Sequence, residues 1–328
     1  MRLRYNFPMN VQRFDPTESF SPEEIASVRE RSDLNGFLCA AHAWLGIAAC
    51  MMLYALWPNP LTFVAAVILI GSRQLGLAIL MHDAAHGVLL KTHWANEFVG
   101  QWLCGLPVFS DMIGYRHYHL IHHRKTQQPD DPDIALSAKF PITRKSYRRK
   151  FIRDVTGQTG FKQRRSQIRN ALGKPGAGFS ERFATFRKRM GAMVVANIIL
   201  LAILTAFGKP HYYLMFWLLP LITWQQVVTR IRNIAEHAMV PDNDDPMRNA
   251  RTTYAKWWER VIFAPYWVNY HVDHHLMFYV PCYNLPKLHE LLLHKGLGPK
   301  MEIQHNYFDV LKLATSKPEP REPLPAAA

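Results

Sequence analysis

Three groups of histidines are set apart by their spacing. His119-Leu120-Ile121-His122-His123 has the pattern H-x-x-H-H, and His271-Val272-Asp273-His274-His275 repeats it far downstream. His82-Asp83-Ala84-Ala85-His86 adds an H-x-x-x-H pair. Residues three and four apart share a helix face, so each group can aim two imidazoles at one point. Neutral imidazole is a favoured metal ligand. Seven or more such nitrogens exceed what one four-coordinate ion takes, so the number points to two metals. In Asn233-Ile234-Ala235-Glu236-His237, Asn233 and His237 stand one helical turn apart. The candidate imidazoles are therefore His82, His86, His119, His122, His123, His237, His271, His274 and His275.

Asp83, Glu236 and Asp273 lie inside these motifs and are expected to accept hydrogen bonds from ring N–H groups, orienting them. His42, His93, His211, His289, His294 and His305 lack the spacing and read as ordinary surface or core residues, and His117 as a neighbour of the second group. All-nitrogen ligation suits zinc, copper, iron or nickel. Hydrolytic zinc usually keeps three protein ligands and a water. Two adjacent ions with mostly imidazole ligands suit oxygen activation better, because splitting O2 takes several electrons.

The elements that must carry these residues are apolar and long. The run from Gly36 to Trp57 is long enough to cross a hydrocarbon core, and a second runs from Leu61 to Met81. Trp57-Pro58-Asn59-Pro60 turns the chain between them. A second pair follows, Met190 to Phe207 and, after Gly208-Lys209-Pro210, Tyr212 onward, becoming polar beyond Gln225. This predicts an all-α integral membrane protein: four transmembrane helices in two hairpins (about 36–57, 61–81, 190–207 and 212–232) and a helical cap. The cap comprises residues 82–189 and 233–295, between an N-terminal segment, 1–35, and a C-terminal tail, 296–328. Within these, Ser21-Pro22-Glu23-Glu24 reads as a helix start. Asn96 to Phe109 is too short to span and reads as interfacial or re-entrant. Gly173 to Gly178 reads as a loop in a partly disordered surround, and Lys317-Pro318-Glu319-Pro320 onward as flexible. Arg73-Gln74 and Gln225-Gln226 are polar groups within spans, which are functional candidates by default.

The net charge is +14 and the pI about 9.7. Without a nucleic-acid motif, this excess points to an anionic membrane surface or an acidic partner, and no nucleic acid. The short turns carry Lys209 alone, whereas 111–190 is crowded with Lys and Arg, so the cap and both termini are expected on the cytoplasmic side. His86 and His119 are 33 residues apart, too few for two crossings at roughly 20 residues each, so these groups share a side. Cys39, Cys50, Cys104 and Cys282 are scattered without C-x-x-C spacing and predict no disulfide framework.

The three histidine motifs resemble the histidine boxes of the membrane fatty acid desaturase family, and Asn233-x-x-x-His237 resembles that family's extra ligand element. The resemblance runs from about Gly36 to Leu292. It implies a cytoplasmic cap holding a non-haem diiron centre, with the nine histidines on iron and Asn233 acting through a water. It further implies O2-dependent removal of two hydrogens from the acyl chain of a membrane lipid or fatty acid. No His-Pro-Gly-Gly haem motif is present, so electrons are expected from an external ferredoxin-, rubredoxin- or cytochrome-type carrier and its reductase. The expected location is a bacterial inner membrane. The superfamily also contains lipid hydroxylases and carotenoid ketolases, the alternative reading. Three residues inside the first box, and His271 opening the third, argue against acyl-CoA Δ9 and front-end types respectively. A metal transporter or zinc membrane hydrolase is the alternative of another class; a transporter would place its ligands near the bilayer midplane.

Overall fold

The computed structural model describes residues 13–137 and 139–318. Residues 1–12 of the N-terminal segment, and the tail from Glu319, lie outside the described residues. Helix α1 (Pro22–Arg29) begins at a capping box in which Ser21 and Glu24 satisfy each other's backbone N–H. Helix α2 (Asp33–Leu56) is capped by Ser32 and ends at Trp57. The Asn59 side chain accepts from the N–H groups of Leu61 and Thr62 at 2.9 and 3.1 Å and starts α3 (Pro60–Ala85). Pro60 fits the first helical position because its missing N–H would have no partner there.

At 26 residues, α3 is about 39 Å long, more than the roughly 30 Å of hydrocarbon it would cross. From Ile70 its residues are almost wholly buried. The polar Ser72-Arg73-Gln74 stretch knits elements together. Ser72 donates to Ile68 O at 2.9 Å and accepts from Trp224 Nε1 at 3.2 Å, and Gln74 Nε2 donates to Trp217 O at 2.8 Å. Arg73 donates to the carbonyl of Val261 instead of reaching for water.

Helix α4 (His93–Phe98), a π-helical turn (Val99–Gly105) and a short 3-10 turn (Leu106–Val108) form the segment too short to span, with Trp94, Phe98 and Trp102 exposed. The basic region is more ordered than its composition suggests. Besides α5 (Met112–Lys125) it holds α6 (Ile134–Ser137), α7 (Arg144–Val155) and α8 (Gln158–Ala171), with the turn at 173–178 leading to α9 (Phe179–Ala206). Buried Asp154 accepts two hydrogen bonds from Arg230 and one from Thr159, which anchors α7.

Three helices among the described residues are long and apolar enough to cross a membrane: the segment containing α2, then α3 and α9. The stretch expected as a fourth continuous span, 212–232, is divided into a π-helical turn (Tyr213–Leu218), α10 (Leu219–Ile222) and α11 (Trp224–His237). Pro220 lacks the N–H that would continue the ladder. At Thr223 the backbone leaves helical geometry (φ −113°, ψ −90°). Beyond α11 come β1 (Thr252–Thr253), α12 (Trp257–Ile262), α13 (His271–Leu276), α14 (Leu285–His294), β2 (Ile303–Gln304) and α15 (Tyr307–Ala314). The strands β1 and β2 pair in parallel. Residues 296–314, expected as tail, thus hold a strand and a helix whose Tyr307, Val310 and Ala314 are buried.

Gly160 lets α8 lie against the break before α11. A Cβ there would stand 2.4 Å from Ile222 O and 2.5 Å from its Cα. Backbone cannot yield as a side chain can, so Gly160→Leu should destabilise the protein by about 1–3 kcal/mol or more. Thermal unfolding in detergent reads this as a lowered midpoint; an unchanged midpoint would show that α8 is not held there.

Candidate metal centre

Four elements far apart in sequence deliver the nine imidazoles. His82 lies in the last turn of α3 and His86 is its C-cap. Asp111 caps α5 by accepting from Gly114 N at 3.2 Å, and that helix presents His119, His122 and His123. His237 ends α11, and α13 carries His271, His274 and His275. The ring nitrogens of His82, His86, His119, His123 and His274 all come within 4.8 Å of one another. So do those of His122, His237 and His275, and His237 also shares a group with His271 and Glu236. The two groups adjoin, with the rings of His123 and His275 4.3 Å apart.

The outer hydrogen bonds fix which nitrogen faces inward. His122 Nδ1 donates to Asp131 Oδ1 at 2.9 Å, and His237 Nδ1 donates to the Asn249 carbonyl at 3.4 Å. Thr126 spends its one hydroxyl hydrogen on His122 O (2.9 Å), so it accepts from His275 Nδ1 (3.3 Å). A neutral imidazole carries one N–H. Each of these three rings therefore turns an Nε2 lone pair inward. Yet Nε2 of His237 lies 3.2 Å from that of His122 and 2.8 Å from that of His271, and His275 Nε2 lies 3.1 Å from His271 Nε2. The His122–His237 contact sets two lone pairs against each other, which repel unless a cation lies between them, and a single N–H on His271 serves one neighbour at most. In the five-membered group, His82 Nε2 and both nitrogens of His86 are buried without a hydrogen-bond partner. Buried polar atoms are seldom left so. The donor set fits bound metal in both groups.

Burial, and then mutual repulsion among the imidazoles, holds His119, His123, His271, His274 and His275 well below the usual histidine range. His237 is held down in the same way, and His86 is pushed down to about 3. Neutral rings are the ligating form. Beside the second group is a polar cavity of about 170 Å³ whose lining includes Asn233, Arg232, Glu236, His122, His237 and His271. Burial raises the Glu236 carboxyl to about 7, against the opposing pull of Arg232, whose Nε donates to Glu236 Oε1 at 2.5 Å.

The three acids differ in role. Asp83 lies 3.3 Å from His82 Nδ1 and also accepts from Cys282 N at 2.6 Å. Glu236 lies 3.6 Å from His271 Nδ1. Asp273, expected to orient one of the nine rings, instead accepts from Thr252 Oγ1 at 2.5 Å and His289 Nδ1 at 2.8 Å. Alternation along a single helical turn sends its side chain away from the rings flanking it. His289, read as an ordinary residue, is a buried partner of that acid.

Two further residues carry no sequence signal of the histidine kind. Asp131 accepts from His122 and also from the backbone N–H groups of Gln127 (2.9 Å) and Asp133 (2.8 Å), which makes it a turn-former that doubles as a ring holder. Arg251 is fully buried and donates to the carbonyls of Ala238 (2.9 Å) and Met239 (3.0 Å) and to Glu302 (3.0 Å), closing the C-terminal end of α11 just past His237.

Helices long and apolar enough to cross a membrane, with clustered imidazoles able to bind metal at the end of one of them, suit a membrane-associated, metal-binding protein. The chain belongs to the fatty acid desaturase family, whose model matches residues 55–306. A dihydrorhizobitoxine desaturase from Bradyrhizobium elkanii is 27% identical over 267 residues, 78% of this chain and 74% of that protein. An sn-1 oleoyl-lipid 12-desaturase from Picosynechococcus sp. is 24% identical over 269 residues, 75% and 70% of the two chains. A zeaxanthin 4-ketolase from Chlamydomonas reinhardtii is 30% identical over 120 residues, 32% and 27%. The protein is an oxidoreductase of the desaturase type.

Two outcomes follow from the outer hydrogen bonds and the burial. Asp131→Ala removes the acceptor that fixes the His122 ring and should weaken metal retention about 10- to 100-fold, read as metal per chain after dialysis against a chelator. Unaltered retention would remove Asp131 from that role. The second concerns acid. The folded imidazoles titrate below the ordinary value of 6.5, so the unfolded chain binds more protons below that pH and stability falls with pH. Metal-free protein should therefore lose stability from about pH 6.5 downward, by up to about 1.4 kcal/mol per pH unit for each such ring. Unfolding midpoints that stay level or rise on acidification would contradict it.

Proposed function

We propose that the protein desaturates the acyl chain of a membrane lipid or fatty acid in an O2-dependent reaction at two irons. Five imidazoles (His82, His86, His119, His123, His274) hold one iron, and His122, His237, His271 and His275 hold the other. Asn233 completes the second site through a water in the polar cavity it lines. The observation that carries this reading is the inward convergence of nine imidazoles, with the outer nitrogens of His122, His237 and His275 engaged so that their Nε2 lone pairs face one another. The bound irons supply the redox chemistry that splits O2 and breaks an unactivated C–H bond. In balance, the substrate gives two hydrogens, an external carrier two electrons and the medium two protons, and O2 leaves as two waters.

The protein's residues act around that chemistry. Asp131, Thr126 and the Asn249 carbonyl keep three Nε2 atoms aimed inward while Glu236, titrating near neutrality, holds a proton at the cavity wall. Phe278 lies against His86 and His123, with ring centroids 5.4 and 5.2 Å away, and shields them from water. In this reading the stem has four crossings, the broken segment at 212–232 being the last, and the cap and both termini face the cytoplasm of a bacterial inner membrane. Electrons come from a ferredoxin-, rubredoxin- or cytochrome-type carrier with its reductase. The position of His82 and His86 at the end of α3 favours this over a transporter, whose ligands belong near the midplane.

Oxygen insertion into the substrate is the second reading, favoured by the local similarity to a ketolase. Lipid extracts from cells with and without the gene separate the two: loss of two hydrogens marks desaturation and gain of oxygen marks hydroxylation or ketolation. His122→Ala and His274→Ala should each abolish the product while the protein still inserts. Full product formation under strict anaerobiosis would end both readings.

A further inference from the structure

The positive charge of this chain is concentrated in one place. Residues 144–189 hold fifteen lysines and arginines against two acids, +13 of the chain's +14. All but Lys174, which lies in the turn between α8 and α9, are on α7, α8 and the foot of α9, and twelve of the fifteen are exposed. Of the two acids, Asp154 is buried and committed to Arg230 and Thr159. Interleaved with the cations are exposed apolar side chains: Phe161 (66%), Ile168 (45%), Phe179 (85%) and Phe183 (57%).

The depth of these helices in the fold distinguishes a lipid surface from a soluble partner. Gly160 of α8 lies directly on the backbone of Ile222. Two residues on, the Trp224 ring N–H reaches Ser72, inside the second apolar run. Helix α9 runs from its basic foot, residues 179–189, straight into the apolar stretch that begins at Met190, and α8 lines a cleft with α9 at that boundary. Between α8 and α9 is a cleft of about 470 Å³, lined by Gln163, Ser166, Gln167, Asn170 and Arg189 above Met190. Arg189 is held in place by donating to Asn170 O at 2.5 Å. Amides, a hydroxyl and a guanidinium over a thioether suit a phosphodiester headgroup with its chains running down beside α9.

We propose that α7, α8 and the foot of α9 form a docking face for anionic phospholipid, with one headgroup seated in the α8–α9 cleft. Basic residues at a bilayer surface attract anionic lipid, and exposed phenylalanines enter the acyl boundary. The proposal does not depend on which reaction the metal centre performs.

The test uses the full chain in nanodiscs of phosphatidylcholine and phosphatidylglycerol, with brominated acyl chains on one lipid at a time. Phe161→Trp and, separately, Phe179→Trp add an emitter whose quenching is read as the difference from the unmodified chain. Brominated phosphatidylglycerol should quench the added tryptophan more than brominated phosphatidylcholine. Adding Lys162→Gln, Arg165→Gln and Arg169→Gln should cut that preference about fivefold or more while the unfolding midpoint stays unchanged. Equal quenching by the two lipids, or a preference that survives the triple substitution, would overturn the proposal. It would also be overturned if neither lipid quenched the tryptophans and their emission responded instead to an acidic ferredoxin-type protein, which would make the face a protein-docking surface.

Discussion

Nitrogen lone pairs forced toward one another in a buried space are the constraint on which the arrangement of this protein depends. His122, His237 and His275 each have their outer nitrogen engaged, by a carboxylate, a carbonyl and a hydroxyl, and so each must turn an unshared pair toward its neighbours. Protonation would relieve the crowding in water, but burial makes the charged ring costly. The remaining relief is a cation, and the same burial that excludes protons leaves neutral donors ready for it. The geometry is useful only if four separate helices stay registered to within a fraction of an ångström.

That registration is maintained by buried polar contacts. Arg251 ties the last carbonyls beyond α11 to Glu302, and its neighbour Thr252 reaches Asp273 between the clustered rings of α13. A two-residue parallel pairing of β1 with β2 holds this connector against the C-terminal region. On the other side, Asp83 accepts the backbone N–H of Cys282, joining the end of α3 to the segment after α13. Ser72, Arg73 and Gln74 do the same lower in the stem, where each takes a partner on another element or an adjacent turn. Polar groups inside apolar surroundings are costly unless paired, and once paired they allow few alternative arrangements. The sequence signal that marks Arg73 and Gln74 as out of place is thus explained by packing between elements.

The divided segment from Tyr213 to His237 serves the same end. A straight helix through Pro220 would carry α11 along the direction of its predecessor. The break at Thr223 instead lets Trp224 meet Ser72 and leaves room for Gly160 of α8. Helix α11 is then strongly amphipathic, with Val227, Val228, Ile231 and Ile234 buried and Arg230 turned toward Asp154.

Local patterning accounts for much of what is seen. The H-x-x-H-H and H-x-x-x-H spacings define helix faces before any fold is known, and apolar runs bounded by Pro and Gly define the long helices. The cap at Asn59 and the box at Ser21 are equally local, because each side chain bonds within three residues of itself. Tertiary structure alone decided which carboxylate meets which ring. Asp131 lies nine residues from His122 across a turn, and Asp273, although inside a histidine motif, faces Thr252 and His289. It also decided how the imidazoles gather, five in one group and His122, His237 and His275 in another that His271 joins through His237, and that residues 296–314 belong to the packed body. Spacing fixes the direction of a side chain relative to its own helix, but the partner it meets depends on how that helix is placed against others, and that placement is set by long-range packing.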